Sequence, residues 1–171
     1  MIWIMGSLMI IAASTGAGML IASRFRARPK EIRQWMSALQ SIEAEIVYGR
    51  VPVAELAEHL AGQLPDPVGS YFSSLRKNLQ EAGLSLRESW TKALEEYWLD
   101  TALKKSEKEI LLQFGTTLGN EDADNQQKHI HLALAHLRRQ ESEARAAQSA
   151  NEKMARSLGF LSGLLLALMF I

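Results

Sequence analysis

Four histidines are the first residues to question, because imidazole can ligate a metal or move a proton near neutral pH. They are His59, His129, His131 and His136. His129 and His131 are two residues apart, which on a helix turns them about 200° from one another. His129 and His136 share a face but stand two turns apart, too far for one ion. No His-x3-His pair exists and the chain has no Cys, so zinc-type sites lack their ligands. The acidic run Asn120-Glu-Asp-Ala-Asp-Asn-Gln126 invites a calcium-loop reading. Counted from Asp122, that loop needs Gly at its sixth position and Glu at its twelfth. Gln127 and Ala133 stand there. Acidic residues in a helix's first turn, where the dipole favours them, account for the run. There is no P-loop, dinucleotide fingerprint or nucleophile elbow. Ser, His and Asp are present, but no spacing groups them. The sequence therefore reads as a non-enzyme, with no catalytic residue, no metal and no cofactor.

With no chemistry in single residues, the placement of charge becomes the main signal. The chain has 171 residues, 19 Lys+Arg and 19 Asp+Glu, a formal net charge of zero. That balance gives no pull toward nucleic acid. Every one of those charges lies between Arg24 and Arg156. Residues 1–23 carry none and are long enough to cross a bilayer core of roughly 30 Å as a helix. No basic residue precedes this run, as a cleaved secretory signal would require. Arg24, Arg26, Arg28 and Lys30 follow it. Basic residues stay inside, so the N-terminus is expected outside and the middle of the chain in the cytoplasm.

Residues 158–171 are also uncharged, but 14 residues rise only about 21 Å. They have no polar stripe to turn toward water. Lys153 and Arg156 could snorkel at their inner end, with bilayer thinning covering the mismatch. A second transmembrane helix is expected here, giving a hairpin with both termini outside. Gly159, Gly163 and Ala167 share one face of it, as Ala12 and Gly16 do in the first span. Small residues let membrane helices approach closely. The expected use is packing within the hairpin or between copies in a homo-oligomer; the alternative is the ordinary abundance of Gly and Ala in such helices.

Between the ends the pattern is helical throughout. Ile32, Trp35, Leu39, Ile42 and Ile46 form one apolar stripe, predicting a helix over about 29–48. Pro52 opens a second, with Leu56, Leu60 and Leu64 inward. The Pro65-Asp66-Pro67 run breaks it, with Asp66 as cap for a third over about 67–82. Ser85-Leu-Arg-Glu88 and Ser106-Glu-Lys-Glu109 read as capping boxes for the fourth and fifth. The fourth would bury Leu86, Trp90, Leu94 and Trp98. A last helix is predicted from about 121 to 171. Its residues 138–157 hold almost no large apolar group, so they read as a helical stalk. The organisation is thus a transmembrane helix (1–23), a cytoplasmic helical bundle (24–137), a stalk (138–157) and a second transmembrane helix (158–171).

Three runs carry a resemblance. They are Glu43-Ala-Glu-Ile-Val-Tyr-Gly49 with Val51, Pro52 and Leu56; Leu118-Gly119-x-x-Asp122-x-x-x-Gln126-x-Lys128-x-Ile130; and Asn151-Glu-Lys-Met-Ala-Arg-Ser-Leu-Gly-Phe-Leu-Ser-Gly163. In this order they resemble the stage III sporulation protein AB family of endospore-forming bacteria. That family looks related to the cytoplasmic domains of type II secretion system protein F. Ala155 departs from the larger residue expected there. The resemblance implies an all-α fold, a six-helix cytoplasmic bundle between the two transmembrane helices. It implies a non-enzymatic platform in the mother cell's inner membrane at the septum, within a secretion-like mother cell–forespore complex. The implied partners are the lipid bilayer, the hexameric secretion-type ATPase of the same operon and other membrane components. The alternative is a membrane-anchored scaffold or regulator outside any secretion complex. Leu118, Gly119, Asp122, Gln126 and Lys128 are the docking candidates. A purely structural alternative stands beside them, with Gly119 making a tight turn and Gln126 bonding across the bundle.

Overall fold

The apolar stripes of the middle segment become helices packed on one another, and no strand occurs among the described residues. The computed structural model describes residue 16 and residues 26–46, 51–81, 83–118 and 123–169. Six helices cover them: α1 over 26–46, then α2 Val53–Gln63, α3 Val68–Gln80, α4 Leu86–Tyr97, α5 Lys105–Thr117 and α6 Ala123–Met169. The chain divides into two compact units. One holds Lys30–Glu141; the other holds Met1–Pro29 with Ser142–Ile171.

The starts of the helices follow local chemistry. Asp66 holds the start of α3, its Oδ1 accepting from the Ser70 N–H at 3.1 Å and the Ser70 hydroxyl at 2.6 Å. Ser85 and Glu88 make the expected reciprocal box on α4, at 3.2 Å and 2.8 Å. The start of α5 corrects the sequence reading. Glu107, not Glu109, reaches back, and it accepts from the Lys104 N–H at 2.9 Å. Lys104 has no acceptor to return the bond, so only half a box forms. Ser106 sits inside the helix instead of capping it.

Inside Lys30–Glu141 the core is aromatic. Trp35 of α1 lies with its ring centroid 4.7 Å from Tyr71, 5.7 Å from Phe72 and 5.7 Å from Tyr97. Trp90 meets Tyr71 at 5.3 Å and Phe114 at 5.4 Å, both edge to face, the arrangement the ring quadrupoles favour. The Trp90 indole donates to the Leu111 carbonyl at 3.0 Å. It can come this close because residue 115 is glycine; a Cβ there would overlap the indole. Ile130, Leu134 and Leu137 of α6 are buried as their spacing predicts, whereas Trp98 stays half-buried beneath Lys108.

The other unit keeps a different surface. On α6, Met154, Leu158, Leu161 and Leu165 are all more than half exposed. Their spacing of 4, 3 and 4 places them on one face. No helix among the described residues is long and apolar enough to cross a membrane. Residues 1–23, apart from helical Gly16, lie outside the described residues, and so do Ala12 and Arg24. The packing expected at Gly159, Gly163 and Ala167 and the role expected of Arg156 likewise concern side chains outside the description. Arg26 pairs with Glu152 at 2.7 Å, and that carboxylate also accepts from Gln148 at 2.8 Å.

Candidate partner-docking site

Two of the three sequence runs singled out above meet around one pocket. The stripe of α1 continues past buried Ile42 to half-buried Ile46, so the last described turn of that helix offers apolar surface without burying it. Pro52 starts α2 directly afterwards and sets Val53, Leu56, Ala57 and Leu60 against the same space. Leu118 closes α5, and Gln126 lies in the first turns of α6. Together with Phe72, Leu75, Leu86 and Trp90 they enclose about 320 Å³, open on one side. The fold thus brings Ile42, Glu45, Ile46, Val51, Val53, Leu56 and Leu60 to one place with Leu118 and Gln126.

Only two side chains of the described lining are polar, Glu45 and Gln126. Glu45 is half-buried, and among the described residues no group pairs with its carboxylate. Its neighbour Glu43 is occupied. One Glu43 oxygen accepts from Gln127 at 3.1 Å and lies 2.7 Å from His131 Nε2. Of the five docking candidates, Leu118 and Gln126 line the pocket. Lys128 is two residues beyond Gln126, so it points elsewhere on α6; it is exposed and bonds Asn125 at 3.3 Å. Gly119 and Asp122 lie outside the described residues.

A second polar cluster lies toward the other end of α1. Glu31 is buried, and both its oxygens are engaged. They accept from the Ala102 N–H at 3.0 and 3.1 Å, the Thr101 hydroxyl at 2.6 Å and the Tyr97 hydroxyl at 2.9 Å. Tyr97 in turn accepts from the Trp35 indole at 3.1 Å. Burial above all pushes the Tyr97 hydroxyl well above its ordinary range, and the neighbouring carboxylate adds to this, so it remains a donor. Burial does the same to Tyr71. Each partner of Glu31 belongs to the end of α4 or to the loop before α5. The cluster therefore fastens that loop onto α1. It presents no free acid, base or nucleophile.

Sequence reading missed Glu31. The available signal was its position four residues before Trp35, which puts a carboxylate on the buried face where a charge is anomalous. It also missed Gln127 and His131 as the residues reaching Glu43 from α6. Among the described residues no group of three His, Asp or Glu is placed to hold a metal ion.

Comparison with known proteins agrees along the whole chain. The family model for stage III sporulation protein AB matches residues 3–171. The chain is 45% identical over 171 residues to stage III sporulation protein AB of Bacillus subtilis (strain 168), covering 100% of both. A solved structure of stage III sporulation protein AB superposes with a TM-score of 0.70 at 45% identity, over 72% of this chain and 98% of that chain.

Proposed function

The chain belongs to the stage III sporulation protein AB family, and on that premise we propose that it is a non-enzymatic membrane platform. Its helical bundle would dock a secretion-type ATPase beneath the mother-cell membrane. The observation that carries the membrane half is the exposed face of Met154, Leu158, Leu161 and Leu165 on α6. Four large apolar side chains on one face are costly in water and at home in lipid. The grouping of both uncharged ends into one compact unit supports the same reading. In it, residues 1–23 and the end of α6 insert, and the basic residues Arg24, Arg26, Arg28, Lys30, Lys153 and Arg156 hold the bundle on the cytoplasmic side. Docking of the hexameric ATPase and of other membrane components rests on the likeness to secretion platforms.

A chain without cysteine makes the topology directly testable. A cysteine at Ser106 should resist a membrane-impermeant maleimide in intact sporulating cells, and one added after Ile171 should react. Labelling at Ser106 overturns the topology. Full-length protein in detergent should then retain the operon's ATPase on a column; failure to do so removes the docking role.

A further inference from the structure

We infer that the pocket between α1, α2 and the start of α6 receives a basic amphipathic segment of another protein. A bulky apolar side chain would enter the pocket while a Lys or Arg one turn away meets Glu45. This rests on the platform reading above and specifies its docking chemistry. The volume, about 320 Å³, is at the small end of ligand-sized cavities and suits one or two large side chains. The rim is apolar and partly open, with Val53 41% exposed and Ile46 and Leu86 half-buried.

Charge selects the occupant. Glu45 is the one charged residue in the described lining, and no described residue pairs with it. No Lys or Arg lines the pocket among the described residues. An incoming cation would gain there, while an acidic or purely apolar segment would bury Glu45 without compensation. Insertion of apolar residues spaced along one face, flanked by a matching charge, is a recurrent mode of helix recognition.

The test places a photo-crosslinking p-benzoylphenylalanine at Val53 in the full-length protein in sporulating cells. Crosslinked peptides are then sequenced by mass spectrometry. The expected product is a peptide of another protein with a large apolar residue within one turn of a Lys or Arg. It should fall about tenfold or more with Glu45→Lys and persist with Glu45→Asp. Unchanged thermal melting of Glu45→Lys shows that the fold is intact; if that variant melts early, Glu45→Gln takes its place. A crosslink to a second copy of this chain, to lipid, or to a peptide without a cation overturns the inference. So does a crosslink indifferent to Glu45, or none at all. Retention of the ATPase by the unaltered chain reads the platform separately. If the ATPase binds and ignores Glu45→Lys, the platform stands and the pocket inference falls. If the ATPase does not bind but a different basic peptide crosslinks, the reverse holds.

Discussion

The two ends of α1 solve opposite problems. Around Glu31 the Ala102 N–H, the Thr101 and Tyr97 hydroxyls and the Trp35 indole all have partners, with buried Gln34 Oε1 the exception beside them, and aromatic rings fill the space between α1, α3 and α4. Around Ile42, Glu45 and Ile46, about 11 residues or 16 Å further along the same helix, there is an open pocket with a carboxylate at its edge that no described residue pairs with. One helix thus carries a filled, fastened end and an unfilled one. A carboxylate whose every neighbour donates to it holds the fold together. A carboxylate beside apolar surface that nothing described covers is available to something else. The proposed docking rests on what this end leaves unfilled.

The largest test of that contrast is Trp35→Ala. It empties the centre of the filled end, where large cavities cost about 3–5 kcal/mol. Chemical denaturation of the full-length protein in detergent should show a loss of that size. A loss under about 1 kcal/mol would mean that this end is not the stability core. Glu31→Leu comes next. It leaves the Tyr97 hydroxyl, the Thr101 hydroxyl and the Ala102 N–H without their acceptor, at about 2–3 kcal/mol. Hydrogen exchange should accelerate at Ala102 and Leu103 before it changes elsewhere. Unchanged protection at Ala102 would show that Glu31 does not fasten the loop.

The same contrast explains what the sequence made legible. Helices α1 to α6 follow from apolar spacing, prolines and caps, because those are local signals. The start of α5 was misplaced by two residues because Ser106 imitates a cap while Glu107 reaches back to Lys104. Leu118 and Gln126 could be named as candidates, but nothing local says that they face Leu56 and Phe72. Glu31 bonds residues 66 to 71 positions away. Such pairings depend on how three helices cross, and no window of sequence contains them.

At the open end, truncation should cost little. Val53 is already 41% exposed, so Val53→Ala should lower stability by less than about 1 kcal/mol. The same change should weaken capture of the partner segment, since it removes part of the apolar rim. A stability loss above about 2 kcal/mol would mark the rim as core and erase the difference between the two ends.

The smallest effect sharpens the contrast through pH. Glu88 caps α4 beside the pocket, as Glu31 fastens the loop at the other end, but Glu88 is exposed to solvent. The Ser85 N–H, and after it the Ser85 hydroxyl, hold the Glu88 carboxyl below its ordinary value of 4.5. A carboxyl depressed in the folded state stabilises it above the unfolded pKa. That contribution is lost as pH falls through the folded value. Glu88→Gln keeps a side-chain oxygen that can accept the same bond but carries no titrating charge. The variant should therefore melt below the wild type at pH 6–7, and the gap should close progressively below about pH 4.5. Melting curves of both proteins from pH 7 to pH 3 would show it. Parallel curves across that range would mean that the cap draws nothing from the charge. Glu88 would then cap the start of α4 by geometry alone, and the electrostatic difference between the two ends would rest on Glu45.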